Sequence, residues 1–228
     1  MNIGLVAEVR WEVRDVCRRL KLVPTNPDGE VWEADMNGHR IRLCLSGMIP
    51  SIARERVHQF VERHPLDLMI CSGLAGALRP GIAVGDLIVQ SNDPAWVRIA
   101  EQTLKDAQLS FHVGPLVTVA KPVLTRATRQ ELAAQSQAIA VDMESQTIAA
   151  LCGERRLPCL ALKAVSDGLE DDLSPILGGV DTIHIPRIAW RVLSRPSTWP
   201  LAGRLTRHSY LAATNLGHGV WATLTQLR

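Results

Sequence analysis

Three carboxylates interrupt apolar runs in the middle of the chain. Asp142 and Glu144, separated by Met143, break the run Ile139-Ala140-Val141, and Asp167 follows the apolar stretch 159–165 directly behind Ser166. Between them Ile148, Leu151 and Cys152 recur at helical spacing up to Pro158, so 138–172 reads as strand, acidic turn, helix, strand, acidic turn. Such a unit puts both acidic turns at the carboxyl ends of neighbouring parallel strands, where open α/β sheets bind small molecules. Two carboxylates from different strand ends would then face one crevice, where such groups can accept a ligand's hydrogen bonds or move a proton. A further charged turn, Glu8-Val9-Arg10-Trp11-Glu12, joins the apolar strand 3–7 to a helix expected over 11–20. Its acids either complement the helix macrodipole at the helix start or face the same side as the first two.

The elements that would position these groups follow in order. Residues 31–35 and 41–45 alternate around Asn37-Gly38, the expected type I′ hairpin turn. The small, flexible segment Ser46-Gly47-Met48-Ile49-Pro50-Ser51 precedes a helix over 52–63, whose first amides could hold an anion or a polar nucleophile. A buried strand at 66–71 runs into Ser72-Gly73-Leu74-Ala75-Gly76-Ala77-Leu78. This is neither a P-loop nor G-x-G-x-x-G, and it reads either as a tight turn or as glycines that let a flat ring approach the backbone. Turns at 79–81 and 85–86, a strand at 87–89, a helix at 96–104, a strand at 113–119 and a helix at 129–134 complete the reading.

Composition narrows the class. A chain of 228 residues can form one large α/β domain with a filled core, and a formal charge of +2 makes no electrostatic case for nucleic acid. The five cysteines form no C-x-x-C pair and three lie in apolar runs, which fits reduced thiols in a cytoplasmic protein. No apolar run reaches the ~18 residues that a spanning helix needs, and no basic leader precedes the first strand, so secretion is not expected. The histidines show no metal-ligand spacing, and Ser72 lacks the G-x-S-x-G elbow of a serine hydrolase.

Past Asp181 the character changes: no acidic residue follows, whereas arginines recur and Trp190, Trp199 and Trp221 are interleaved with Leu and Ile. Helices are expected over 183–193 and from 201 onward, giving a main domain at 1–181 and a basic helical extension at 182–228 packed on or beside it. For 183–192 packing on the sheet is expected. For 199–228 the alternatives are a closing helix with a solvated tail, or peripheral contact with an anionic membrane.

The order Ile3-Gly4-Leu5-Val6…Glu12-Val13, Ser72-Gly73-Leu74-Ala75-Gly76, Gly85-Asp86, Val141-Asp142-Met143-Glu144-Ser145 and Ala164-Val165-Ser166-Asp167 resembles the purine and uridine phosphorylase family, which includes methylthioadenosine/S-adenosylhomocysteine nucleosidase. The resemblance covers about residues 1–175. Within that family, Gly114-Pro115-Leu116-Val117-Thr118, the segment 140–145 and Asp172-Leu173-Ser174-Pro175 look most like the hopanoid-associated phosphorylase group, which is thought to release adenine from adenosylhopane. The resemblance implies a single-domain α/β fold with a mixed, mostly parallel and partly barrel-like sheet flanked by helices. It implies N-glycosidic cleavage of a 5′-substituted adenosine.

Negative charge then builds on the departing purine. Protonation at N7 relieves it and needs a carboxylic acid of raised pKa, the role implied for Asp167. Glu144 would hold the ribose hydroxyls with Met143 against the sugar, and Ser166, Leu74, Gly76, Ser46 and Gly47 would complete the substrate site. Glu12, or Glu8 if the turn is shifted, would activate water. The phosphorylases instead carry phosphate-binding arginines, one of them just before the glycine-rich turn, where this chain has Cys71. Arg10 or Arg54 could supply charge, and Gly47-Met48-Ile49-Pro50-Ser51 resembles their G-x-P-S loop. Hydrolysis is favoured, since an unneutralised phosphate in a dry pocket is costly. No cofactor is expected, apart from phosphate as a co-substrate, and the protein is expected to be a homo-oligomer, a dimer. The alternative is an inactive nucleoside-binding protein associated with membrane lipid synthesis, motivated by Leu74 in place of a small polar residue and by the missing arginines.

Overall fold

The structure, a computed structural model, describes residues 1–25, 28–47, 49–178 and 185–227. In chain order the elements are β1 (Asn2–Ala7), α1 (Arg14–Leu20), β2 (Val23–Pro24), β3 (Val31–Met36), β4 (His39–Leu45), α2 (Pro50–Arg63), β5 (Leu68–Ala77), β6 (Leu87–Ser91) and α3 (Pro94–Asp106). They continue as β7 (Phe111–Val113), β8 (Leu116–Thr118), α4 (Arg126–Ser136), β9 (Ala140–Asp142), α5 (Ser145–Glu154), β10 (Cys159–Asp167), α6 (Ser174–Leu177), α7 (Ile185–Ser194) and α8 (Trp199–Thr225). Met48 and residues 183–184, both part of sequence expectations, lie outside the described residues.

One mixed sheet runs β2-β3-β4-β1-β5-β10-β6-β7. Its centre, β4-β1-β5-β10, is parallel, and β1, β5 and β10 are apolar strands buried on both faces, as helices on either side require, whereas β4 alternates. Asn37 and Gly38 both take positive φ (52° and 77°), as a type I′ turn between β3 and β4 demands. At its far end β5 leaves this ladder and pairs antiparallel with β9, which pairs in turn with β8, so the sheet curls back on itself.

Several expectations are corrected here. The supposed turn 72–77 is strand, because Ser72 to Ala75 stay paired with Leu162 to Val165 of β10. The two acidic turns do not end neighbouring parallel strands: β9 and β10 flank β5 from opposite sides, with Val141 and Asp167 both opposite Gly76. The strand expected at 113–119 is split into β7 and β8 at Gly114-Pro115. There proline offers no amide, and a side chain at Gly114 would lie 2.7 Å from Ile139 Cδ1. Finally, α1 begins at Arg14, three residues late, which leaves Glu12 ahead of the helix rather than in its first turn. Asp15 takes the macrodipole position and pairs with Arg18 and Arg19.

The C-terminal segment is not a solvated tail. Ala212, Leu216, Val220, Leu224 and Leu227 are buried in the same core as β1, β5 and β10. Large residues are absent where α8 crosses its neighbours: a side chain at Gly217 would strike Asp15 Cβ at 2.6 Å, and one at Gly219 would strike Leu87 at the same distance. Small residues at the crossing therefore let α8 seal one face of the sheet.

Candidate active site

The site is built on two glycines of β5. Gly73 has a φ of 152°, a value side chains rarely adopt, and a Cβ there would lie 3.2 Å from Lys163 Nζ, 3.3 Å from Glu144 Oε1 and 3.5 Å from Glu12 Oε2. Three charged groups from β10, the β9–α5 turn and the β1–α1 turn thus converge over one backbone position. At Gly76 a Cβ would lie 2.6 Å from Arg129 Nη1 and 2.7 Å from Asp167 Oδ2. Three residues of strand span roughly 10 Å, so β5 forms a floor with one charged cluster at each end. Both clusters line a single cavity of about 880 Å³.

The first cluster is rich in acid. Asp142 caps α5, accepting from the Glu144 and Ser145 amides and the Ser145 hydroxyl, and this leaves the Glu144 carboxylate free of any capping bond. Glu144 instead binds Lys163 Nζ at 2.6 Å, while Asp142 lies 3.2 Å from the same ammonium. Burial would lower the Lys163 pKa, but Cys71, Glu144 and Asp142 together outweigh burial and hold it well above the lysine range. Burial likewise raises Asp142, yet Lys163 and the Ser145 and Thr118 hydroxyls hold it below the ordinary value. Burial raises Glu144 despite Lys163. Glu12 is pushed up to about 8 by burial and then by Glu144 and Glu8, and Glu8 to about 7 by burial and then Glu144. Asp142 and Glu144 therefore share one ammonium, and Glu8 and Glu12 beside them titrate near neutral pH under the influence of Glu144. A carboxylate so placed can take a proton from water.

The second cluster is built differently. Asp167 Oδ1 accepts from Ser166 Oγ at 2.5 Å, and Asp167 Oδ2 from Arg129 Nη2 at 2.5 Å. The lone acid expected from sequence is thus half of an ion pair. Arg129, on α4, is 1 % exposed and donates also to the Val123 carbonyl at 3.0 Å, but its Nε and Nη1 have no hydrogen-bond partner. Gly85 and Asp86 steady this end from behind, exchanging backbone hydrogen bonds with Val165.

A model of the phosphorylase superfamily matches residues 2–92 and 89–176. The chain belongs to that superfamily. A curated relative, the 5′-methylthioadenosine/S-adenosylhomocysteine nucleosidase of Staphylococcus epidermidis, is 24% identical over 195 residues, covering 72% of this chain and 86% of the relative. Among solved structures, Helicobacter pylori futalosine hydrolase aligns with a TM-score of 0.78 at 14% identity, covering 100% of this chain and 98% of that one. The Neisseria meningitidis 5′-methylthioadenosine/S-adenosylhomocysteine nucleosidase, solved with methylthio-immucillin-A, aligns with a TM-score of 0.79 at 16% identity over 99% of both chains. These two likenesses establish the shared fold.

Within this superfamily member the sequence-derived site residues are distributed unevenly. Asp167, Glu12, Glu8, Glu144, Met143, Ser166, Leu74 and Gly76 all line the main cavity. Ser46 does not: it lines a second cavity of about 500 Å³ behind Glu144, together with Arg54, His58 and Met143, and its hydroxyl donates to the Ala7 carbonyl at 3.2 Å. Gly47 lines neither cavity; its amide donates to the Glu8 carbonyl at 2.9 Å and so braces the first acidic turn. Arg10 is drawn away from the site, stacked 4.3 Å from the Trp32 ring centroid. Lys163 and Arg129, the cations of the two clusters, are the site residues that sequence reasoning does not assign. Lys163 had a signal, as the lone charge in an apolar strand; Arg129 had none, being one arginine on an ordinary helix.

Proposed function

We propose that this protein cleaves the N-glycosidic bond of a 5′-substituted adenosine and releases adenine, with water as the attacking group. The observation that carries the proposal is the convergence of Glu12 and Glu144 over Gly73, with Asp167 over Gly76 in the same cavity. Glu144 accepts hydrogen bonds from the ribose hydroxyls and Met143 packs on the sugar. Glu12 takes a proton from the water that attacks C1′. The C1′–N9 bond breaks, its electron pair passes to the purine, N7 takes a proton carried by Asp167, and Asp167 regains one from solvent as Glu12 gives up the one it took. Water suits this site better than phosphate, since an incoming anion would meet the carboxylates of Glu8, Glu12 and Glu144 with Lys163 already engaged. The relatives named above are two nucleosidases and a hydrolase, which supports the same choice. Phosphorolysis is the second reading, favoured by Arg54 and His58 beside Ser46 in the second cavity. Adenine release measured with and without phosphate separates the two: strict phosphate dependence would sink the hydrolase.

A bulky apolar 5′ group, such as that of adenosylhopane, is the finer reading. Away from the acids the main cavity continues between α6, α7 and α8, where Leu173, Ile176, Ile188, Val192, Leu205 and Ala213 line it. Peripheral membrane contact is supported by the exposure of Trp190 and Leu193 on α7 and of Trp199 at the start of α8, along with that of Arg195 and Arg207. The contact would use residues 190–211 rather than all of 199–228, because the second half of α8 is core. Among the described residues no helix is long and apolar enough to cross a membrane. Co-sedimentation with anionic liposomes, lost in W190E/W199E, tests this; undiminished sedimentation of that variant would refute it.

A further inference from the structure

The proposed reaction needs the Asp167 carboxyl aimed at the leaving base, yet pairing with β5 alone does not fix that aim. Where β10 runs beside β5 the register slips: Val165 lies opposite Ala75 and Asp167 opposite Gly76, so Ser166 is an extra residue in the ladder. Such a bulge disrupts the ladder locally and re-aims a side chain. On its other edge β10 pairs with β6 only as far as Ala164, opposite Leu87. The backbone beyond is held by the turn before β6, where the Gly85 amide donates to the Val165 carbonyl at 2.8 Å and the Val165 amide to the Asp86 carbonyl at 2.9 Å. On this edge the turn is therefore the last clamp before Asp167.

The turn is itself held from two sides. The Asp86 carboxylate accepts from the Ala83 amide at 2.8 Å and lies 2.9 Å from His112 Nε2. From α8, the half-buried Asn215 donates through Nδ2 to the Gly85 carbonyl at 2.9 Å. Gly85 has a φ of 93°, and a side chain there would lie 3.0 Å from that same Nδ2, so α8 sits directly on the turn. Asn215 itself lines neither cavity. Resting on the nucleoside-cleaving reading, we infer that Asn215 is a positioning residue for the leaving-group acid: through Gly85 and Val165 it fixes the slipped end of β10, and so the direction of the Asp167 carboxyl. Without it the buried Gly85 carbonyl loses this donor and the turn is free to shift. A displacement of about 1 Å at a reacting group can cost about 10² in rate.

The test is a double-mutant cycle with Asp167→Asn, read as turnover of one 5′-substituted adenosine. Asn215→Ala alone is expected to lower kcat by about 10- to 100-fold with KM almost unchanged. In the Asp167→Asn background, where no acid is left to aim, the same substitution should lower kcat by at most a few-fold. Asn215→Asp, which keeps the side-chain shape and removes the donor, repeats the cycle should the alanine variant fail to fold. A loss of equal size in both backgrounds, or no loss in the first, would overturn the inference and leave the nucleosidase reading intact. An Asp167→Asn protein with undiminished turnover would instead overturn the role given to Asp167 in the proposed function, and this inference with it.

Discussion

The two ends of the β5 floor solve different electrostatic problems. Over Gly73, carboxylates outnumber the cation: Glu8, Glu12, Asp142 and Glu144 surround Lys163 alone. Over Gly76 the charges balance, one Asp167 against one Arg129. The asymmetry matches the charges of glycosidic cleavage, in which the sugar becomes cationic and the base gains negative charge. On the proposed reading, the Gly73 end accepts a proton and faces the cationic sugar, and the Gly76 end faces the departing base with Asp167.

Removing Lys163 should have the largest effect. Lys163→Met leaves buried carboxylates without a counter-charge, at a cost of about 3–5 kcal/mol at pH 8, and should abolish measurable turnover. The stability loss should shrink toward pH 5, where the carboxylates protonate, as thermal unfolding across pH would show; a pH-independent loss would mean that Lys163 does not neutralise this cluster.

Glu12 is next. Its folded pKa of about 8 lies above the unfolded 4.5. The native state therefore binds the extra proton between these values, and its contribution to stability falls as pH rises through the window, by at most about 5 kcal/mol. Glu12→Gln should flatten that fall and raise the unfolding midpoint at pH 8 while removing turnover. In the wild type, kcat/KM should rise with pH through an apparent pKa of 7–8, because the ionised form is the base. A rate that declines over this range would assign the proton-accepting step elsewhere.

At the opposite end Asp167→Asn keeps the shape but weakens the pair with Arg129, and should cost about 10²–10³ in kcat. Its pH profile should retain the rise at 7–8, since that belongs to the Gly73 end; loss of the rise would show that the ends titrate together. Leu74, half-buried between the two ends, should matter least. Leu74→Ser, a small polar residue of the kind the family often carries there, should change kcat/KM by no more than a few-fold, and a large gain would show that Leu74 disables part of the site.

Sequence reading recovered these ends unequally, and the reason is local. Acids that interrupt apolar strands, such as Asp142, Glu144 and Asp167, announce themselves because alternation and strand ends are properties of neighbouring residues. What Asp142 and Glu144 do separately was not legible, since only the fold shows one capping α5 and the other turning to Lys163. Arg129 reaches Asp167 from 38 residues away through the packing of α4 against the curled end of β5, a tertiary contact with no local signature. The segment 72–77 was misread for a related reason: its glycines suggest a turn, but pairing with β10 holds them extended, and their bareness serves the cavity. In the C-terminal segment, tryptophan and arginine drew attention to the surface, whereas the alanines and glycines of α8 carried the packing.

The most direct test is a crystal structure with a non-cleavable 5′-substituted adenosine analogue. The ribose hydroxyls should lie within hydrogen-bond distance of Glu144, a water should stand between Glu12 and C1′, and the purine N7 edge should meet Asp167 across Gly76. A ligand seated with its base over Gly73, or one that touches a single cluster only, would contradict the claim that this floor holds one nucleoside between the two clusters.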